Sequence, residues 1–302
     1  MTEQPREEPE ELVRSQTFVA EGPLDLDIDV TVGRIEVQLG EGEVLAEIRH
    51  DPSAQAPWTE GVSNLLSWVS ERFGGQLGPD FAASPADAVD RSRIELTGNR
   101  LVVRGPKPVP LRNVPLAVTV HAPEGSHVNV RTGAANVTVT GTAGRVDIGA
   151  GSGDVTVEGA EGAATVRTGS GAVKLGPANG GLHLRTASGD VEVAAVAGSA
   201  TLATASGDLW LGEASGEVLV RTSSGGLSVA EAASGSVEAI SGSGDIRIGI
   251  RGGVTTEVDL SSGGGEASSE LDVADTPPEK PIALTVRART GSGDVVLTKA
   301  AS

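Results

Sequence analysis

Two rows of charged side chains recur at a fixed interval in this 302-residue chain. Asp154, Asp190, Asp208 and Asp245 each follow a glycine at intervals of 18 residues or a multiple of it, with one slip to 19, and Asp294 stands in the last such phrase outside that interval. Carboxylates stacked along one edge could hold calcium, as the Gly- and Asp-rich nonapeptide rolls do. Here the phrase occurs once where such a roll needs it twice, and Asn136, Ala172 and Gly226 interrupt it. The alternative is that each Asp makes its turn by bonding local backbone. Arg131, Arg167, Arg185 and Arg221 form the second row, with Gly149 and Ala203 intervening. Either this is a basic stripe that meets a partner, or each guanidinium pairs with a nearby carboxylate for about 0–1 kcal/mol. Trp68 is a third candidate contact. His50, His121, His127 and His183 have no metal-ligand spacing, and there is no Gly-x-Ser-x-Gly, P-loop or HExxH phrase. No catalytic residue and no cofactor is therefore expected.

The rows are positioned by a repeat. With Asp190 as position 0, apolar or small residues fall at 1, 3 and 6 (Val191, Val193, Val196) and at 10, 12 and 14 (Ala200, Leu202, Thr204). The same register holds for Val155, Val157, Ala160, Ala164, Val166 and Thr168 and for the coils that follow. Period-two alternation in two short runs means two strands per coil, because successive side chains on a strand face opposite ways. Ser-Gly before the Asp and a Gly at position 8 supply the two turns. One coil cannot fold alone. A few buried Val or Leu side chains give about 1.5–3 kcal/mol each, while fixing each backbone unit costs about 1–2 kcal/mol. Coils must stack, strand on equivalent strand, at about 4.8 Å. The expected fold is all-β: a single parallel β-solenoid of about 18 residues and two short strands per coil, plus one helical insertion. Ala at 6 and Thr at 14 imply a thin interior, with threonine hydroxyls bonding along the axis. A hexapeptide acyltransferase also turns every 18 residues, but it needs an apolar residue every six.

A net charge of −18 excludes nucleic acid and anionic membranes as direct partners, since both select basic surfaces. The absence of Cys excludes disulfides and thiolate metal sites. No apolar run is long enough for a transmembrane segment, and Met1–Glu11 has no signal-peptide pattern, so cytoplasmic residence is expected, with membrane contact only through a partner.

Along the chain, residues 1–11 read as a disordered acidic tail. Residues 12–50 read as the first solenoid coils: with Arg34 at position 0, Ile35 and Val37 take 1 and 3, and Val44, Ala46 and Ile48 take 10, 12 and 14. Residues 51–92 form a helix-bearing insertion, with Trp58, Val62, Leu65, Leu66, Val69 and Phe73 on one helical face and Trp68 off it. That helix caps the solenoid, or docks a partner; Glu60, Asn64 and Glu71 on its polar face speak against a membrane. Residues 93–302 return to solenoid through a hairpin at Gly98-Asn99, with a loop excursion at about 266–280.

Thr17-Phe-Val-Ala-Glu-Gly-Pro23, Val32-Gly-Arg-Ile-Glu-Val37, Ala122-Pro-Glu-Gly125 and the recurring Thr-Gly-Ser-Gly-Asp-Val phrases resemble the bacterial DUF4097 family, whose members carry an adhesin label. The resemblance spans about residues 12–50 and 93–302. It implies a β-strand-repeat solenoid related to the toastrack and LiaF C-terminal domains of cell-envelope stress sensing, and it brings no catalytic residues. The expected function is a non-catalytic scaffold or binding module with a repetitive surface, meeting a protein partner or itself. Two other readings remain: a carbohydrate-active β-helix enzyme with its site under the 51–92 insertion, and a bactofilin-like scaffold that polymerises end to end.

Overall fold

The structure, a computed structural model of the chain, describes residues 13–53, 84–271 and 281–300. The acidic tail, the apolar helix face, Trp58 and Trp68 lie outside the described residues. Within them the protein is a solenoid of two facing walls. Each rung contributes one strand to the first wall (positions 10–14), turns a corner at the Gly-Asp phrase, and contributes one strand to the second wall (positions 1–6). Val137, Val155, Val173, Val191, Leu209, Leu227, Ile246 and Val295 pair one to the next as a single file, all parallel. The inward side chains at 1, 3, 6, 10 and 12 are buried, and so are Thr168, Thr186, Thr204 and Thr222 at 14. The core is thus a narrow seam running the length of the molecule, as the alternation requires.

The threonines behave differently from expectation. Thr168, Thr186 and Thr204 each donate to a carbonyl of their own corner, that of Ser170, Ser188 and Ser206, at 2.9–3.0 Å, and do not bond one another along the axis. Equivalent threonines on successive rungs stand about 4.8 Å apart, whereas the corner carbonyl two residues on is within hydrogen-bond reach. Glycine before the Asp serves the same corner. Gly207 has φ +115°, and a Cβ there would run into the backbone carbonyl of Gly189 one rung away.

Rung order departs from chain order at both ends. In space the rungs run 100–122, 25–39, 127–143, 145–160, 164–178, 182–196, 200–214, 218–232, 237–250, 284–299 and 256–269. The expectation for 12–50 is corrected accordingly. Asp25–Leu39 forms a rung, but Val44–His50 is not its second strand. It pairs antiparallel with Leu116–Ala122 on one side and with Val13–Phe18 on the other, extending the second wall as a cap. The register of Val44, Ala46 and Ile48 fits either placement, because an inward–outward alternation does not say which edge a strand joins. Of the excursion at about 266–280, residues 272–280 lie outside the described residues; the part before them is corrected, since Ala267–Ser269 is a strand on Val295–Leu297, and with Thr256–Ser262 it makes the last rung in space. The hairpin of Arg93–Thr97 and Arg100–Arg104 is as expected. The short helix Pro85–Asp90, with Pro at its first turn, buries Ala88 and Val89 and packs on Val44–His50.

Ion pairs fasten the exchanged rungs. Arg100 and Arg104 reach Asp27 at 2.7 and 3.1 Å, tying 100–104 to the 25–39 rung. Burial pushes the Asp27 carboxyl up, but hydrogen bonds from Arg100 and Arg104 and their charges outweigh it and hold the group below its ordinary value. At the other end Arg289 reaches Asp259 at 2.8 Å.

Candidate functional site

Position 13 faces outward on the first wall, so its side chains form a file parallel to the axis. Arg131, Gly149, Arg167, Arg185, Ala203 and Arg221 are successive register partners. All four arginines are exposed, and among the described residues none makes an ion pair or side-chain hydrogen bond. The outward rows beside them offer Thr165, His183 and Thr201 along most of the file, but Asp29 is the register partner of Arg131 and Asp147 stands on the adjacent outward row. Gly149 leaves a notch of about 540 Å³ between Arg131 and Arg167, which Arg112, Asp29 and Asp147 also line.

The aspartate row sits at the corner, and its chemistry is structural on one side. Asn136, Asp154, Asp190, Asp208 and Asp245 each use Oδ1 to accept the backbone N–H of the next rung's position 0, at 2.8–3.0 Å. The carbonyl of that next residue in turn accepts the position-1 N–H of the lower rung, as in Val191 to Asp208 at 2.9 Å. Each turn is thereby zipped to its neighbour where a bare corner would leave donors unmet. Asn136 does this as well as an aspartate does, so the bond requires an oxygen and not a charge. The expectation that each Asp bonds its own local backbone is corrected: the bond runs to the next rung. Among the described residues no three His, Asp or Glu side chains converge to hold a metal. The second carboxylate oxygens have no side-chain partner among the described residues.

Beside this row runs an open groove of about 770 Å³. One flank is Asp190, Asp208, Asp245 and Asp294; the other is the outward row at position 2, with Lys174, Glu192, Trp210 and Arg247. Lys174 pairs with Glu192 at 3.4 Å. Trp210 is 41% exposed and bends over Gly212, where no side chain competes for the space. Sequence reasoning passed over it in favour of Trp68. The available signal was its place on an outward position of a strand, where a large aromatic has no core to fill.

A model of the family described as Toastrack DUF4097 matches residues 117–298, more than half of the chain. The chain belongs to that family. Two solved structures similar to this member are proteins each described as a "putative adhesin". The one from Bacteroides fragilis is 14% identical, with 94% of this chain and 96% of that one covered and a TM-score of 0.42. The one from Parabacteroides distasonis is 10% identical, with 94% and 96% covered and a TM-score of 0.34. No curated protein matches the chain. As the resemblance of its Gly-Asp phrases implies, this family member is a β-solenoid of repeated strands. No helix of the described residues is long and apolar enough to cross a membrane.

Proposed function

We propose that this family member is a non-catalytic binding scaffold that engages an extended acidic protein segment along its arginine file, in adhesion or in cell-envelope stress signalling. One observation carries the reading: four exposed guanidiniums stand in line on an acidic protein, and among the described residues none of them makes an ion pair, although Asp29 and Asp147 stand near Arg131. A guanidinium presents a planar fork of donors that fits a carboxylate bidentately, so unanswered arginines favour an acidic partner over an apolar one. Rungs repeat at about 4.8 Å, so an extended acidic segment can meet several arginines at once, which suits recognition by rows and not by a pocket.

The test is anisotropy of a fluorescent polyglutamate peptide titrated with the full chain at low salt. Wild type should bind, and R167E/R185E should bind at least ten-fold more weakly. Equal binding by the two proteins would overturn the reading.

A further inference from the structure

We infer that the acidic partner of the arginine file is the aspartate-flanked groove of a second copy of this chain, docked side by side in parallel and staggered by one rung. The inference rests on the binding role proposed above and names the partner of that same file.

Its basis is a coincidence of spacing that the register makes explicit. Reading rung by rung, the file at position 13 runs Arg131, Gly149, Arg167, Arg185, Ala203, Arg221. The corner row, started one rung later, runs Asp154, Ala172, Asp190, Asp208, Gly226, Asp245. Present, absent, present, present, absent, present: the two patterns are the same, and both are written on one ladder with a spacing of about 4.8 Å. A shift of one rung between parallel copies brings Arg131, Arg167, Arg185 and Arg221 of one copy opposite Asp154, Asp190, Asp208 and Asp245 of the next. Over these six rungs, where the arginine is missing so is the carboxylate; the match ends there, since Ile240 would face Asp294 and Asp29 would face Asn136.

Both faces are unsatisfied in the single chain. The arginines have no partner among the described residues, and each aspartate spends only one oxygen on the neighbouring rung. The groove carries Asp190, Asp208, Asp245 and Asp294 against one unpaired cation, Arg247, since Lys174 is taken by Glu192. Trp210 lines the same groove, with its ring leaning over Gly212. Complementary charge of this kind fixes register and partner choice more than it adds affinity. Because one face meets a different face, the contact is heterologous and continues from copy to copy.

Sedimentation velocity of the full chain at low salt tests this. Wild-type mass should rise with concentration past that of a dimer and fall back as salt is raised, since the screening length drops from about 10 Å at 0.1 M to about 3 Å at 1 M. R167E/R185E should stay monomeric. So should D190N/D208N/D245N, which keeps the acceptor for the next rung's N–H, as Asn136 does, and removes only charge. Mixed in equal amounts, the two variants should form a 1:1 pair and stop there, because each retains one intact face. A wild type that stays monomeric, a variant that still grows, or a mixture that does not pair would each overturn the inference. Polyglutamate binding by a wild type that stays monomeric would sink this pairing alone; loss of both would sink the binding role with it.

Discussion

Replacing Gly207 by alanine should damage the solenoid far more than the same change at Gly149, although both glycines belong to the same repeat. Gly207 holds φ +115°, and a Cβ there would overlap the Gly189 carbonyl oxygen and lie 2.7 Å from its carbon. The backbone conformation alone costs an L-residue about 1–2 kcal/mol. Relieving the overlap means lifting one rung off another, which adds about 1–3 kcal/mol, the usual scale of overpacking. The loss should therefore be about 2–5 kcal/mol. With an m-value of about 3 kcal/mol/M in urea, the midpoint falls by about 1 M. Gly149 meets nothing within 4 Å and has no positive φ. Alanine there restricts only the unfolded chain and should be neutral or stabilising by up to about 1 kcal/mol. Urea unfolding followed by far-UV circular dichroism measures both. Stability in a stacked array is nearest-neighbour, so the Gly207→Ala transition should also split into two steps. A midpoint for Gly207→Ala within about 0.2 M of wild type, or equal losses at both sites, would refute the reasoning.

Thr204→Val removes the donor to the Ser206 carbonyl and should cost about 1 kcal/mol. Thr132→Val should be neutral or stabilising, because the buried Thr132 Oγ1 has no partner among the described residues; thermal melts of the two variants should move apart. Asp27 has a depressed folded-state value, so its contribution is present above the unfolded carboxylate value of about 3.9 and is lost as pH falls through the folded one. Amides of 25–29 and 100–104 should therefore lose hydrogen-exchange protection in Asp27→Asn at neutral pH, and in wild type only below the ordinary carboxylate range. Loss in wild type near pH 6 would contradict this. Deleting 282–302 takes away the penultimate rung, so amides of 256–262 should become unprotected although their own sequence is intact. Unchanged protection there would mean the rung exchange is wrong.

The body of the fold was legible because everything one rung needs lies within its own 18 residues. Inward Val and Leu at 1, 3, 10 and 12, the small residue at 6 and the glycine that must take positive φ are all local requirements, and stacking repeats them at a fixed interval. The place of the aspartates at the corner was legible for the same reason, but not that their Oδ1 reaches across to the next rung instead of bonding local backbone.

The sequence by itself determined the rung: its length, its two faces, its corners, and which side chains stand in rows outside. Only the tertiary structure decided the order of the rungs. Asp25–Leu39 lies inside 100–122, Leu284–Ser292 lies inside Thr256–Ser262, and Val44–His50 turns antiparallel as a cap. Each of these strands carries the same alternation and the same backbone donors and acceptors, so pattern alone cannot rank one edge above another. The choice falls to contacts between distant residues, such as Arg100 and Arg104 on Asp27 or Arg289 on Asp259. The open state of the arginine file is settled in the same way, because a side chain's lack of a partner depends on which neighbours folding sets within its reach.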